Sequence, residues 1–377
     1  MIRLRQFAAV LVLLTFTSLI WAAQVPGPVP AESQTRTVTD MRGRSVEVPD
    51  DIEGIIALNA GSLRLLSYFD SLDKVIAVED SGHGREKGIH PFFYLATYRI
   101  AHPRLQELPS IGDSRSHEQL IAADPDIIFS TSVDIAELDL LQDILDIPVF
   151  ALDADVELND PRRFFEQIHL LGSVLQESER AQQLVSGISE LLDDLQERAG
   201  KVEEPRRAYA GGMMFYGPAD LLRTSGDYIP FDLTGTVNVM PSNPAGNLQP
   251  YMTSIESLIA AGPEYVFVDA ANSDLARRGF EEHRDVLFEH VDAFRNNNIH
   301  TTLVYKYYGT NWENQLINIY YTGLVMYPEL YSDIDITRQA EEIWELFFQV
   351  PMQYSDVMQR QGRGLEAAHW VQGHGGP

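Results

Sequence analysis

Three arginines in the first third of the chain, Arg85, Arg99 and Arg115, are of the residue type best suited to holding a carboxylate or a phosphate-like oxygen. A guanidinium presents a planar fork of N–H donors and stays charged at any physiological pH. The small-residue turn Asn59-Ala-Gly-Ser62 runs into a predicted helix, where backbone N–H groups could meet a ligand oxygen near Asn59 and Ser62. Two later segments concentrate aromatic and polar residues at the ends of predicted strands, where open α/β sheets bind ligands. One is Gly211-Gly-Met-Met-Phe-Tyr216-Gly-Pro, which leads through Arg223 to Tyr228-Ile-Pro-Phe231; the other is Tyr305-Lys-Tyr307-Tyr308-Gly-Thr-Asn311-Trp312. Tyr216, Tyr228, Tyr307, Tyr308 and Trp312 could give a bulky ligand flat apolar area with a polar tip. The same arginines are also at home on a solvated surface, and the same rings in an ordinary core.

A second kind of candidate comes from internal repetition. Ser116-His-Glu118-Gln-Leu-Ile-Ala-Ala-Asp-Pro125-Asp-Ile-Ile-Phe129 and Ser254-Ile-Glu256-Ser-Leu-Ile-Ala-Ala-Gly-Pro263-Glu-Tyr-Val-Phe267 agree at eight of fourteen positions. Each reads as a short helix with a Ser cap and a Glu in its first turn, broken by Pro before a strand. The repeat implies two similarly built lobes, each showing one exposed Glu at the same place. A carboxylate there could simply favour the positive end of the helix dipole.

Catalytic signatures are missing. The chain has no Gly-x-Ser-x-Gly elbow, Walker loop, His-Glu-x-x-His pair or dinucleotide glycine fingerprint in a strand-turn-helix setting. Its ten His show no ligand spacing and it has no Cys, so neither a resident metal nor a disulfide is expected. No catalytic residue and no cofactor are assigned.

The elements that would position these residues alternate strand and helix. Val46–Val48, Ile55–Leu58, Lys74–Val78, Ile127–Phe129 and Val149–Leu152 read as strands with helical segments between them, predicting an α/β lobe with a mainly parallel sheet over residues 37–160. Within a helical connection over 161–204, Ala181, Leu184, Val185, Ile188, Leu191, Leu192 and Leu195 keep a 3.6-residue period, predicting a helix over 178–199 capped by Ser178. At 1.5 Å per residue it is about 33 Å long, enough to run beside one lobe and join it to the next. Alternation resumes over 205–350 with strands at Ala208–Phe215, Tyr265–Val268 and Thr302–Tyr305 and helices at Asn311–Met326 and Thr337–Phe348. Residues 351–377 are expected to be a tail, disordered over its Gly-, Gln- and His-rich part from 359.

At the other end, two Arg precede an apolar run from Phe7 to Ile20 and then Ala22 and Ala23, the layout of a signal peptide over residues 1–23. Residues 24–36 read as a flexible lead-in. The run is too short to span a bilayer, so the mature protein is expected to be periplasmic, with no membrane insertion after cleavage. A net charge of −27 argues against nucleic acid or an anionic membrane as partner.

Taken together, the signal peptide, Thr37-Val-Thr-Asp40, Val46-Glu-Val-Pro49, the Asn-Ala-Gly-Ser turn after its strand, both Glu-x-Leu-Ile segments, the long linking helix and Asp232-Leu-Thr-Gly235 with Asn238 resemble the periplasmic binding proteins of iron-siderophore, haem and cobalamin importers. The resemblance covers residues 37 to 350. It implies two Rossmann-like lobes joined by one rigid helix, a ligand between them, and a Glu on each lobe docking onto the permease; the matching positions are Glu118 and Glu256. The Tyr-Gly-Thr-Asn-Trp pattern near the C-terminus is similar to a branch described as iron-complex binders, some of whose relatives carry molybdate or tungstate. The implied function is capture of a chelated metal, a ferric siderophore or related iron complex, by a monomer that hands it to an ABC permease dimer with its ATPase. An oxyanion cargo is the alternative, and an exported enzyme on the same scaffold is a third reading. Ligand residues vary across that family, so Asn59, Ser62, Arg85, Arg99, Arg115, Tyr216, Tyr228, Tyr307, Tyr308 and Trp312 rest on their place at strand ends.

Overall fold

The computed structural model describes residues 34–79, 93–154, 156, 158, 160–214, 217, 219–247, 249–304, 306–307 and 309–370. The signal peptide, most of the lead-in, Arg85, Tyr216, Tyr308 and residues 371–377 lie outside them.

The described chain opens with an antiparallel hairpin, Thr35–Thr39 (β1) and Ser45–Pro49 (β2). Ile55–Leu58 (β3), Val75–Val78 (β4), Ile127–Ser130 (β5) and Val149–Ala151 (β6) then build a parallel sheet in the order β4-β3-β5-β6. Between them run the helices Ala60–Leu66 (α1), Tyr98–Ala101 (α2), His117–Ala123 (α3) and Ile135–Leu145 (α4). Alternate residues of β3 go to opposite faces, as the two-residue period of a strand requires: Ile55 and Ala57 join the large shared core, whereas Ile56 and Leu58 pack outward with Leu138, Leu141 and Leu145 of α4.

Pro161–Val174 (α5) leads to the linking helix Ser178–Ala199 (α6), whose bounds match the period read from its apolar residues. Its cap does not. Ser178 is the first helical residue, the N-cap is Glu177, and the Glu177 carboxylate accepts instead from the backbone N–H groups of Asp70 and Ser71 at 2.8 and 2.7 Å. The second sheet is formed by Arg207–Gly211 (β7), Val237–Asn238, Tyr265–Asp269, Ile299–Thr302 and Glu366–Ala367, parallel except for the last. A minor antiparallel pair, Arg223–Thr224 (β8) with Tyr251–Met252, lies beside it, so in chain order Val237–Asn238 is β9, Tyr251–Met252 β10, Tyr265–Asp269 β11, Ile299–Thr302 β12 and Glu366–Ala367 β13. Its helices are Ile229–Asp232 (α7), Ile255–Ala261 (α8), Ser273–Glu282 (α9), Arg284–His290 (α10), Asp292–Arg295 (α11), Trp312–Met326 (α12) and Ile336–Phe348 (α13), followed by Tyr354–Gln361 (α14). The fold is thus α/β, two Rossmann-like lobes joined by a single long helix.

Two sequence expectations need correction here. The last parallel strand lies three residues upstream of Thr302–Tyr305, because the backbone of Leu303 and Val304 is satisfied by side-chain amides of α12 rather than by a neighbouring strand. Asn318 accepts from Leu303 N at 2.8 Å and donates to its carbonyl at 3.0 Å, and the Nδ2 groups of Asn311 and Asn314 donate to Val304 O. The expected tail from 351 is also ordered well beyond that point. The rings of Trp344 and Tyr354 stack 6.1 Å apart to hold α14, β13 pairs antiparallel with β12, and Trp370 is buried against Phe280.

The lobes meet over a polar seam set in apolar surroundings. Arg180 of α6 donates to the carbonyls of Tyr68, Leu346 and Phe347, tying the linking helix to both sides. Tyr68 donates at 2.9 Å to the fully buried Glu313, whose carboxyl is pushed above the usual range by burial, with Arg64 opposing the shift. An acid whose pKa rises on folding loses stability as pH climbs from its unfolded value, near 4.3, through the folded one. Glu313→Gln should therefore be more stable than the parent at pH 8, with the difference vanishing toward pH 4. Urea unfolding at the two pH values checks this.

Candidate functional site

The C-terminal ends of both parallel sheets face the seam, the place where open α/β sheets take ligands. On the first lobe, β3 ends at Asn59, whose backbone (φ 69°, ψ 143°) is one that only Gly adopts without strain. The surroundings hold it there. Its N–H donates to Glu79 at the end of β4, and its Oδ1 accepts from Ser130 Oγ, Thr131 N and Thr131 Oγ1 at 3.2–3.4 Å. Glu79 is half-buried, and desolvation raises its pKa against the Asn59 hydrogen bond. At the opposite edge of the sheet, Asp153 after β6 takes Arg163 at 2.8 Å and Arg42 at 3.4 Å.

From the second lobe, the loop ahead of α12 closes onto this rim. Thr310 N donates to Ala154 O at 3.1 Å, and the fully buried Arg64 of α1 donates to the carbonyls of Thr310 at 2.9 Å and Tyr307 at 2.6 Å. Gly309 has φ +94°, and a Cβ there would stand 2.9 Å from Ala154 Cβ, so only glycine lets the two backbones approach this closely. Arg99 of α2 is also buried. Its guanidinium and that of Arg64 both lie against the ring of Tyr98, 5.4 and 5.6 Å from its centroid, and Arg99 Nε donates to the Tyr98 hydroxyl at 3.0 Å. Burying two guanidiniums around one ring at the inter-lobe seam concentrates positive potential where desolvation strengthens it.

The residues singled out from the sequence fall into three groups. Asn59, Arg99 and Tyr307 are at this seam. Ser62 lies close by in α1 but is fully buried, with its hydroxyl donating at 2.7 Å to the carbonyl of Leu58, the last residue of β3. Arg115 is exposed and paired with Asp113 in its own loop, where it holds that carboxyl below the usual range. Tyr228 and Trp312 depart from expectation. Tyr228 is buried against Phe231 with its hydroxyl 3.5 Å from Thr302 Oγ1, and Trp312 is wholly enclosed with its Nε1 donating to Val156 O at 2.6 Å. Both rings belong to the core, Tyr228 at the N-cap of α7 and Trp312 as the first residue of α12. Arg64 was missed. It stands in the apolar run Leu63-Arg-Leu-Leu66, which is itself a signal, since a lone cation there must find buried acceptors.

The two repeated segments behave alike. Both form seven-residue helices, α3 and α8, that end in a left-handed residue, Asp124 at φ 51° and Gly262 at φ 57°. Ser254 caps α8 by accepting from Ser257 N at 3.2 Å, whereas Ser116 makes no such bond and accepts instead from Asp113 N. Glu118 and Glu256 are both exposed in the first turn, with no Lys or Arg ion pair among the described residues. Glu256 is held below the usual carboxylate range by its own backbone N–H and by the Ser254 hydroxyl.

No helix of the described residues is long and apolar enough to cross a membrane, and those residues contain no cluster of three His, Asp or Glu able to hold a metal. The molybdate-binding protein MolA of Haemophilus influenzae is 21% identical over 338 residues, 83% of this chain and 91% of that protein. Its crystal structure bound to molybdate superposes with a TM-score of 0.64 at 17% identity, covering 84% of this chain and 99% of that one. A periplasmic solute binding protein from Veillonella parvula gives a TM-score of 0.67 at 15% identity, covering 87% and 99%. At these identities the likeness is one of fold. The sequence profile of a periplasmic binding protein family matches residues 97–303, more than half of the chain, and places this protein among the solute-binding proteins rather than the enzymes: it belongs to the periplasmic binding protein family.

Proposed function

We propose that this protein is the substrate-binding component of an ABC importer and that its cargo is a small oxyanion of the molybdate class. The observation that carries the reading is the pair of buried guanidiniums, Arg64 and Arg99, gathered on Tyr98 where the two lobes touch. Positive charge held out of water at a cleft favours a compact anion. Glu313, the buried acid that interacts with Arg64, is driven toward its neutral form by burial, as is Glu79 at the rim, while Asp153 is compensated by Arg42 and Arg163. A bulky ferric chelate, the cargo first expected, would need an aromatic bowl. Tyr228 and Trp312 are enclosed in the core, and the Thr310–Ala154 and Arg64 bonds draw the lobes into backbone contact. MolA, the curated relative that binds molybdate, supports the same choice. In this reading Glu118 and Glu256 anchor one lobe each to the two halves of the permease, which a rigid two-lobed protein needs in order to sit across a two-fold axis.

The test is thermal melting of the mature protein against molybdate, tungstate, sulfate, phosphate, ferric siderophores, haem and cobalamin. Molybdate or tungstate at 100 times its Kd should add about 2.7 kcal/mol and raise the melting point by a few degrees. A response confined to ferric chelates would overturn the oxyanion assignment and restore the iron-complex reading.

A further inference from the structure

Large apolar side chains exposed to water are not scattered over this protein. Of the eight among the described residues, five (Ile121, Val133, Ile135, Leu140 and Ile144) lie on α3, on α4 or between them. Ile121 is three residues from Glu118 on α3, and so shares its helical face. Leu140 and Ile144 form an i,i+4 pair on α4, a helix whose inner face is already filled by Leu138, Leu141 and Leu145. The outer face of α4 therefore sets Ile135, Leu140 and Ile144 among the exposed acids Glu137, Asp139 and Asp143, where a surface helix with a settled place in a fold carries polar residues alone. Two more of the eight, Val237 and Met252, belong to the other lobe. There Met252 lines a groove of about 730 Å³ with Val239, Met240, Tyr251, Ser254 and Ala260, and Ser254 is the cap of the helix that carries Glu256. The eighth, Phe288 on α10, is in that same lobe but outside the groove.

We propose that each docking glutamate is the charged half of a two-part surface whose other half is apolar: a ridge on α3 and α4 beside Glu118, and a groove beside Glu256. The proposal rests on the docking reading given above and extends it to the class of surface that docks. The occupant is the periplasmic face of the importer, a protein surface offering cations to the carboxylates and apolar side chains to the ridge and groove. Charge selects it. Residues 116–147 contain eight Asp or Glu and no Lys or Arg, and residues 237–262 contain Glu256 and no Lys or Arg. A second copy of a chain carrying a net charge of −27 would bring like charge to both patches, as would an anionic bilayer. Apolar clusters of this kind on a monomer mark interaction sites, where single exposed apolar residues would not.

The experiment measures binding of the full mature protein to its permease–ATPase complex in nanodiscs. The variants are L140S/I144S, M252S and E118A, each with its ligand affinity and melting point recorded. The substituted residues are exposed, so folding and ligand affinity should stay at parental values. L140S/I144S and M252S should each weaken binding to the complex by about tenfold or more, since each takes large apolar area out of the buried contact. Parental binding by both apolar variants alongside a loss with E118A would overturn the two-part surface and leave the charge anchors standing. Parental binding by all three variants would overturn both. Parental self-association on sedimentation that L140S/I144S abolishes, with importer binding unchanged, would assign the ridge to a second copy and overturn the proposal.

Discussion

Replacing Glu118 and Glu256 together with alanine should abolish uptake through the importer while leaving ligand affinity and melting temperature unchanged. Both carboxylates stand exposed in the first turn of equivalent helices, and neither is engaged by a Lys or Arg of its own chain among the described residues. Their positions relative to the ligand seam explain why affinity should survive. That seam is built at the C-terminal ends of β3 to β6 by Asn59, Arg64 and Arg99, whereas Glu118 and Glu256 are exposed in the first turns of α3 and α8 and, among the described residues, bond to none of these three. A charge pair that becomes desolvated and hydrogen-bonded at an interface is among the costliest contacts to truncate. Losing one on each lobe should lower affinity for the permease by a factor on the order of a thousand. Single variants should retain partial transport, because the remaining anchor still holds one lobe in register. Uptake into proteoliposomes, beside calorimetric ligand binding, measures both quantities. Retained transport in the double variant would reduce the two glutamates to helix-start carboxylates.

Local pattern made the architecture readable, and partners distant in sequence made the site hard to read. The 178–199 helix was legible to the residue because seven apolar positions repeat at 3.6, and Ile55–Leu58 because four apolar residues run into a turn. Glu118 and Glu256 were visible because the chain says the same thing twice. The displaced β12 was not legible. Thr302–Tyr305 has stronger strand composition than Ile-His-Thr-Thr, and only the amides of Asn311, Asn314 and Asn318, arriving from a later helix, take Leu303 and Val304 out of the sheet. Composition likewise hid the order beyond residue 351. Pairing of Glu366–Ala367 with an existing strand edge and insertion of Trp370 against Phe280 are tertiary events. At the site, Arg64 escaped because its acceptors, Tyr307 and Thr310, lie more than 240 positions away. Tyr228 and Trp312 were misread for the complementary reason, that an aromatic residue next to a strand end looks the same in sequence whether it turns toward solvent or toward the core.

Trp312 now carries the largest stability prediction. It opens α12, the most deeply enclosed helix of the second lobe, with its ring tilted against Phe164 at 4.8 Å, its edge near Tyr68 at 6.3 Å and its Nε1 on Val156 O. Phe164 and Val156 belong to the segment leading into the linking helix, so this one side chain joins the start of α12 to the opposite side of the seam. Trp312→Ala should cost about 3–5 kcal/mol from the cavity left behind. The orphaned Val156 carbonyl should add about 1–3 kcal/mol if water does not reach it. Either is a large share of the about 5–15 kcal/mol that separates folded from unfolded chains, so the variant should unfold at much lower urea concentration. Trp312→Phe separates packing from ligand contact. It keeps a six-membered ring and loses the pyrrole part with its donor, so stability should fall less than in Trp312→Ala, and molybdate affinity should hold because the residue has no solvent-facing surface from which to touch a ligand. The opposite pattern in Trp312→Phe, parental stability with at least a tenfold loss of affinity, would return Trp312 to the ligand and defeat its assignment to the core.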